Sequence, residues 1–184
     1  MKSLTSITAG GLWKWDDPVF SPAELAEVAG IGVEALKKYI QRGTIFTESR
    51  YITKQGKARR YSLEDVCQAR AMGLLLNVHG MSPDAARRIA WGISDAMREL
   101  AEAHSQDREI DMSLLVVRWP TPTGVGETYG SHGIKGEELA TFVSDIVWPP
   151  QFGMFCITRQ QLSSEVVVPC LDFLKYKQKE GTSR

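Results

Sequence analysis

The chain has 184 residues, 43% of them hydrophobic and 24% charged, an ordinary balance for a soluble globular protein able to bury a core of its own. No run approaches the roughly 20 apolar residues that cross a bilayer, and the amino-terminal MKSLTSITAGGLWKWDD has one lysine and no long apolar stretch and makes a poor secretory signal, so a cytoplasmic location is expected. A formal net charge of zero hides an asymmetry: Phe20 to Arg98 holds twelve Lys/Arg against eight Asp/Glu, and Glu99 to Arg184 holds eight against twelve, so the first half is the one suited to a polyanion.

Residues 1–19 read as an arm. Gly10-Gly11 and Asp16-Asp17-Pro18 interrupt regular structure, with Trp13 and Trp15 as anchors. Ser21, Pro22 and Glu24 then form a helix start of the capping-box type, and a helix over Pro22–Ala29 follows. Gly30-Ile31-Gly32 ends it, Gly30 being free to take the left-handed cap conformation. A second helix, VEALKKYIQRG, places Val33, Leu36 and Ile40 on one face and Glu34, Lys37, Lys38 and Gln41 on the other. Two short helices around a glycine turn form a helix-turn-helix, whose second helix suits a DNA major groove.

Thr44–Ile52 is rich in β-branched and aromatic residues, Lys54-Gln55-Gly56-Lys57 is a turn, and Arg59-Arg60-Tyr61 returns as a short strand: a hairpin wing with a basic tip. In an alternating strand Arg59 and Tyr61 share one face and Arg60 points the other way. Ser62, with Asp65 three residues on, caps a helix running to about Val78. Ser82 and Pro83 open another, expected to continue to about His104, with a stripe of Ala85, Ile89, Ile93, Met97 and Leu100 that serves either a core or a helix–helix dimer seam. After a polar link the composition changes. Ser113–Trp119 reads as a strand, Pro120–Gly136 as a loop, Glu137–Val147 as a helix, and Gly153–Arg159 and Glu165–Pro169 as two strands of a hairpin around Leu162–Ser164. The last ten or so residues are polar and expected to fray.

The three cysteines, Cys67, Cys156 and Cys170, have no zinc-like spacing and read as small buried residues, with Cys156 and Cys170 facing each other across the expected hairpin. GVGETYGSHGIKG has five glycines but lacks the Lys-Ser/Thr of a phosphate loop, and His132 within it has no nucleophile or acid at a telling spacing. Trp119, Trp148, Tyr129 and Phe155 suit a core or a small-molecule pocket. No enzyme, metal site or cofactor is expected.

FSPAELAEVAGIGVEALKKYIQRGTI, KARRYSLEDV and HGMSPDAARRI, in this order over roughly 80 residues, resemble a MerR-type winged-helix DNA-binding domain. The resemblance implies a recognition helix ending in an aromatic, a basic residue and glycine, a wing closing in RRY, and dimerisation through a long helix. This chain has Gly32 where the family usually has Ser or Thr, and Lys37-Lys38 where it usually has Arg-Tyr. Its cysteines do not surround the dimer helix as in the metal-sensing branch.

The expected fold is a mainly α winged-helix domain of the MerR-like type with a long helix, followed by a small α/β domain. Its divisions are an arm over 1–19, the DNA-binding domain over 20–81, a connecting or dimerisation helix over 82–105, and an α/β part over 106–184. The expected activity is sequence-specific transcription regulation by a homodimer on double-stranded DNA, with a small-molecule or protein effector at the C-terminal part. Lys37, Lys38 and Gln41 are the candidates for base edges. Arg42, Lys54, Lys57, Arg59, Arg60 and Tyr61 are the candidates for the backbone. Two other readings use the same features: an architectural DNA-binding component of recombination or packaging, of excisionase or small-terminase type, and a protein-interaction module without DNA binding.

Overall fold

A computed structural model describes residues 14–43, 60–111, 113–120, 130–134 and 152–182. The described residues are mostly helical. Helix α1 spans Pro22–Ala29, α2 Val33–Gln41, α3 Leu63–Asn77, α4 Pro83–Gly92 and α5 Ser94–Ser105. Strands β1 (Leu114–Pro120), β2 (Gly130–Ile134) and β3 (Phe152–Thr158) form an antiparallel sheet in the order β2-β1-β3. Helix α6 (Arg159–Leu162), a π-helical turn (Ser163–Val167) and α7 (Val168–Thr182) complete the chain.

The helix starts are chemical. Ser21 accepts from the Glu24 N–H while Glu24 accepts from the Ser21 N–H, and Ser62 and Asp65 do the same for α3. Each reciprocal pair satisfies two backbone donors that the first helical turn leaves without partners. Gly30 ends α1 at φ +64°, the left-handed conformation that lets its N–H return to the carbonyls of Ala26 and Glu27.

Helix α3 is buried along most of its length, through Leu63, Val66, Cys67, Ala69, Ala71, Met72, Gly73 and Leu75. One of its edges covers the carbonyl end of α1. Arg70 donates to the Val28 carbonyl at 2.7 Å, and Asn77 donates to the Gly30 carbonyl at 3.3 Å. Between them Gly73 lets the Ala29 carbonyl come so near that a Cβ on residue 73 would lie 2.3 Å from it. Residues 70, 73 and 77 fall on one edge because helical neighbours recur three and four residues apart.

Three expectations for the second half are corrected. The helix after Ser82 does not run unbroken to His104: α4 ends at Gly92, and Ile93 leaves helical geometry at φ −101°, ψ 7° with its side chain 2% exposed. Glycine is a poor helix interior residue, and the break follows Gly92. Glu165–Pro169 is not a strand, nor Leu162–Ser164 a hairpin turn. Both belong to the helical run that a Thr158/Gln161 capping box opens. The run Val166-Val167-Val168 has strand propensity, but Val166 and Val167 bury as helical residues, at 1% and 0% exposure, which overrides it. The last ten or so residues do not fray where they are described; α7 continues to Thr182.

The sheet departs from the expected β-α-β-β order as well. Part of the glycine-rich loop is β2, whose Gly130–Ile134 pairs with Arg118–Leu114 of β1. Strand β3 pairs along the other edge, from Phe152 opposite Pro120 to Thr158 opposite Leu114. The expected helix Glu137–Val147, Trp13, and the body of the wing lie outside the described residues.

One apolar core unites the two halves. Trp15, Phe20, Leu25 and Leu36 belong to it, and so do Leu115, Leu162, Val167, Cys170 and Leu174. Helix α7 runs antiparallel along α1: the π turn meets α3 beside Val28, and Lys177 reaches the start of α1.

Candidate nucleic-acid interface

Helix α2 is short, and it is amphipathic because only one side has anything to touch. Leu36 is 1% exposed, Ile40 and Tyr39 are half-buried against the core, and Val33, at 40%, lies at the edge. Lys37, Lys38, Gln41 and Arg42 all face solvent. They differ in their partners. Lys37 is held by Glu34 at 2.6 Å, a surface pair one turn long. Lys38 and Arg42, four residues apart and therefore on one face, form no ion pair among the described residues.

Phe20 and Tyr61 are joined by a single pair of antiparallel backbone bonds. The Phe20 N–H donates to Tyr61 at 2.9 Å, and the Tyr61 N–H donates to Phe20 at 2.8 Å. This bond pair tethers the segment before α1 to the segment before α3. Tyr61 is 4% exposed and packs in the core, while Arg60 is exposed. The alternation expected for RRY is therefore visible at its last two residues: the aromatic goes in and the cation goes out. Arg60 Nη1 donates weakly to the Val19 carbonyl at 3.4 Å. Lys54, Lys57 and Arg59 lie outside the described residues.

A second cation meets the same carbonyl. Lys177 Nζ donates to Val19 O at 2.7 Å and to the Glu24 carboxylate at 2.7 Å, and stands 5.5 Å from the centre of the Phe20 ring. Phe173, one turn earlier on α7, packs tilted against Phe20 with centroids 6.3 Å apart. Burial by itself pushes the Glu24 carboxyl up, but the bonds from Lys177 and from Ser21 outweigh it and hold the group below its ordinary value.

Lys177 lies in the segment read from sequence as a frayed tail, so it was not among the expected site residues. The signal was present: Val167, Cys170, Leu171 and Leu174 recur at three- and four-residue intervals, which is helical spacing. What the spacing lacks is any indication of which surface such a helix covers.

The cysteines are arranged differently from the expectation. Cys170 is on α7 and fully buried, where burial and a hydrogen bond join it to Cys67 of α3, while Cys156 on β3 is exposed. Cys156 and Cys170 do not face each other across a hairpin, because no hairpin forms there. Phe155 is half-buried and meets His79 edge-on at 5.8 Å. Tyr129 and Trp148 lie outside the described residues. No group of three or more metal-ligating side chains occurs among the described residues. No helix among them is long and apolar enough to cross a membrane.

Residues 20–91 match the family model described as MerR HTH family regulatory protein. The match covers α1 through the Trp91 turn of α4 and ends before α5, the sheet and the C-terminal helix. No curated protein matches the chain.

Proposed function

Taking residues 20–91 as a MerR-type helix-turn-helix region, we propose that the chain is a sequence-specific, DNA-binding transcription regulator that acts as a homodimer. Helix α2 enters the major groove. Lys38 and Gln41 read base edges and Arg42 holds the backbone, with Lys37 available once Glu34 releases it. Arg60, with Lys54, Lys57 and Arg59 of the wing, neutralises phosphates beside the groove. Tyr61 serves this surface from inside, by fixing the wing to Phe20. The α/β segment after α5 is the place for dimerisation or effector contact.

The observation that carries this reading is the exposed Lys38/Arg42 face of α2. Two cations at helical spacing, both outward on the second helix of a helix-turn-helix, suit a polyanion better than a protein surface. Titrating a labelled duplex from the DNA upstream of the coding sequence, and a scrambled duplex, across a salt series tests it by fluorescence anisotropy. Affinity is expected to fall steeply with salt. Arg42→Ala is expected to flatten the logarithmic slope by about 0.9 for the phosphate contact removed. Lys38→Ala is expected to narrow the preference for the specific duplex by about 1–3 kcal/mol. Absence of binding to either duplex at low salt would overturn the reading.

A further inference from the structure

The Val19 carbonyl receives two cations from distant parts of the chain. Lys177, on the C-terminal helix, takes it at 2.7 Å; Arg60, at the base of the wing, reaches it only at 3.4 Å. A carbonyl oxygen has two lone pairs, so both bonds are allowed, but the short one is the strong one. Lys177 is further anchored by Glu24, by the Phe20 ring and by the packing of Phe173, and its side chain is 29% exposed. Arg60 has no such anchorage among the described residues and faces solvent.

From this geometry we propose that Lys177 is a positioning residue for DNA binding: by occupying the Val19 carbonyl it keeps the Arg60 guanidinium turned outward, where a phosphate can take it. The inference rests on the DNA-binding reading above. Two physical effects act together. The ammonium holds the better lone pair, which leaves Arg60 a weak inward bond. It also repels the guanidinium across the shared oxygen, a repulsion that Glu24 reduces without removing. Without Lys177, Val19 O is an acceptor with one long bond, and Arg60 closes on it to an ordinary length near 2.9 Å. The guanidinium is then engaged with the protein and withdrawn from the phosphate. Lys177 itself need not touch DNA.

The arrangement has a second consequence. Lys177 belongs to α7, beyond the family match, so the C-terminal helix contributes to the DNA grip without supplying a contact. Loosening α7 from Phe20 and Glu24 would let Arg60 close on the Val19 carbonyl in the same way as removing the lysine.

A double-mutant cycle on the full-length chain tests the proposal, with salt slopes of anisotropy titrations on the two duplexes used above. Arg60→Ala and Lys177→Met are each expected to flatten the slope by about 0.9. Lys177→Met in the Arg60→Ala background is expected to change it no further, because the residue through which Lys177 acts is already gone. Lys177→Arg, which keeps a cationic donor at the site, is expected to restore the wild-type slope. Thermal melts accompany each titration, and where Lys177→Met is incompletely folded, Lys177→Gln is used and gives the same loss. Additive slope losses would mean that Lys177 holds a phosphate of its own, and would overturn the proposal. A wild-type slope in Lys177→Met would overturn it as well, while leaving the DNA-binding reading intact. A wild-type protein that binds neither duplex removes both.

Discussion

Arg70 of α3 donates through Nε to the backbone carbonyl of Glu165 at 2.6 Å, across 95 residues of sequence. That carbonyl lies four residues before Pro169, which has no N–H to return to it. The guanidinium donates to it instead of an α-helical N–H, and its Nη1 serves the Val28 carbonyl at the end of α1 at 2.7 Å. One side chain therefore joins the helix-turn-helix to the π turn of the C-terminal helix. Arg70→Ala is expected to cost about 2 kcal/mol, in the range for hydrogen bonds from a charged donor, measured by urea unfolding. Pro169→Ala restores a backbone N–H near Glu165. In that background the cost of Arg70→Ala is expected to shrink, and equal costs in both backgrounds would mean that Pro169 has no part in the bond.

Gly73 of α3 stands against the carbonyl end of α1. A Cβ there would lie 2.3 Å from the Ala29 carbonyl and 3.2 Å from Ile31 Cγ1. The nearer atom is backbone and cannot rotate away, so Gly73→Ala must push the two helices apart. Alanine gains about 1 kcal/mol in helix propensity, and overpacking costs about 1–3 kcal/mol. A net destabilisation of about 0–2 kcal/mol, toward the upper end because the contact is with backbone, is expected in a urea melt. A stabilised variant would show that the helices are further apart than described.

Glu24 links stability to pH. Its folded pKa is lowered relative to the unfolded chain, where a glutamate titrates near 4.3, so its contribution is present above that value and is lost as pH falls through the lower folded value. The melting temperature of the wild type is expected to decline more steeply than that of Glu24→Gln as pH falls through this window. Lys177→Met is expected to remove most of the difference, because it deletes the cation that favours the charged carboxylate. Parallel curves for wild type and Glu24→Gln would exclude the link.

The thiols should react in two classes. Burial first, and then the hydrogen bond with Cys170, push Cys67 well above the ordinary thiol range, and both sulfurs are inaccessible at 0% exposure. Cys156 is exposed, with a pKa raised more modestly by partial burial. With an aromatic disulfide reagent near pH 8, close to the ordinary thiol pKa of about 8.5, one equivalent is expected from the native protein and three after unfolding. Rapid release of a second equivalent would show that α7 leaves α3 readily.

Local chemistry made much of the first half legible. Ser21, Pro22, Glu24 and Gly30 carry the start and stop of α1 in their own side chains and dihedral preferences, and the observed helix has the expected limits. Ser62 and Asp65 did the same for α3, and the alternation in Arg60-Tyr61 separated an outward cation from an inward ring. These are decisions made within four residues, where a sequence holds both partners in view. The second half turned on decisions that are not local. Val166-Val167-Val168 carries strand propensity and became helix because Val166 and Val167 are buried as helical residues in a core shared with Phe20 and Leu25. Arg70 and Lys177 look like ordinary surface cations until α7 is laid along α1, which brings them to the carbonyls of Glu165 and Val19. The sequence by itself determined where the helices of the helix-turn-helix begin and end and which face of α2 is polar. Only the tertiary structure decided that the C-terminal helix closes on that domain, since its burial and its hydrogen bonds come from residues some 90 to 160 positions away.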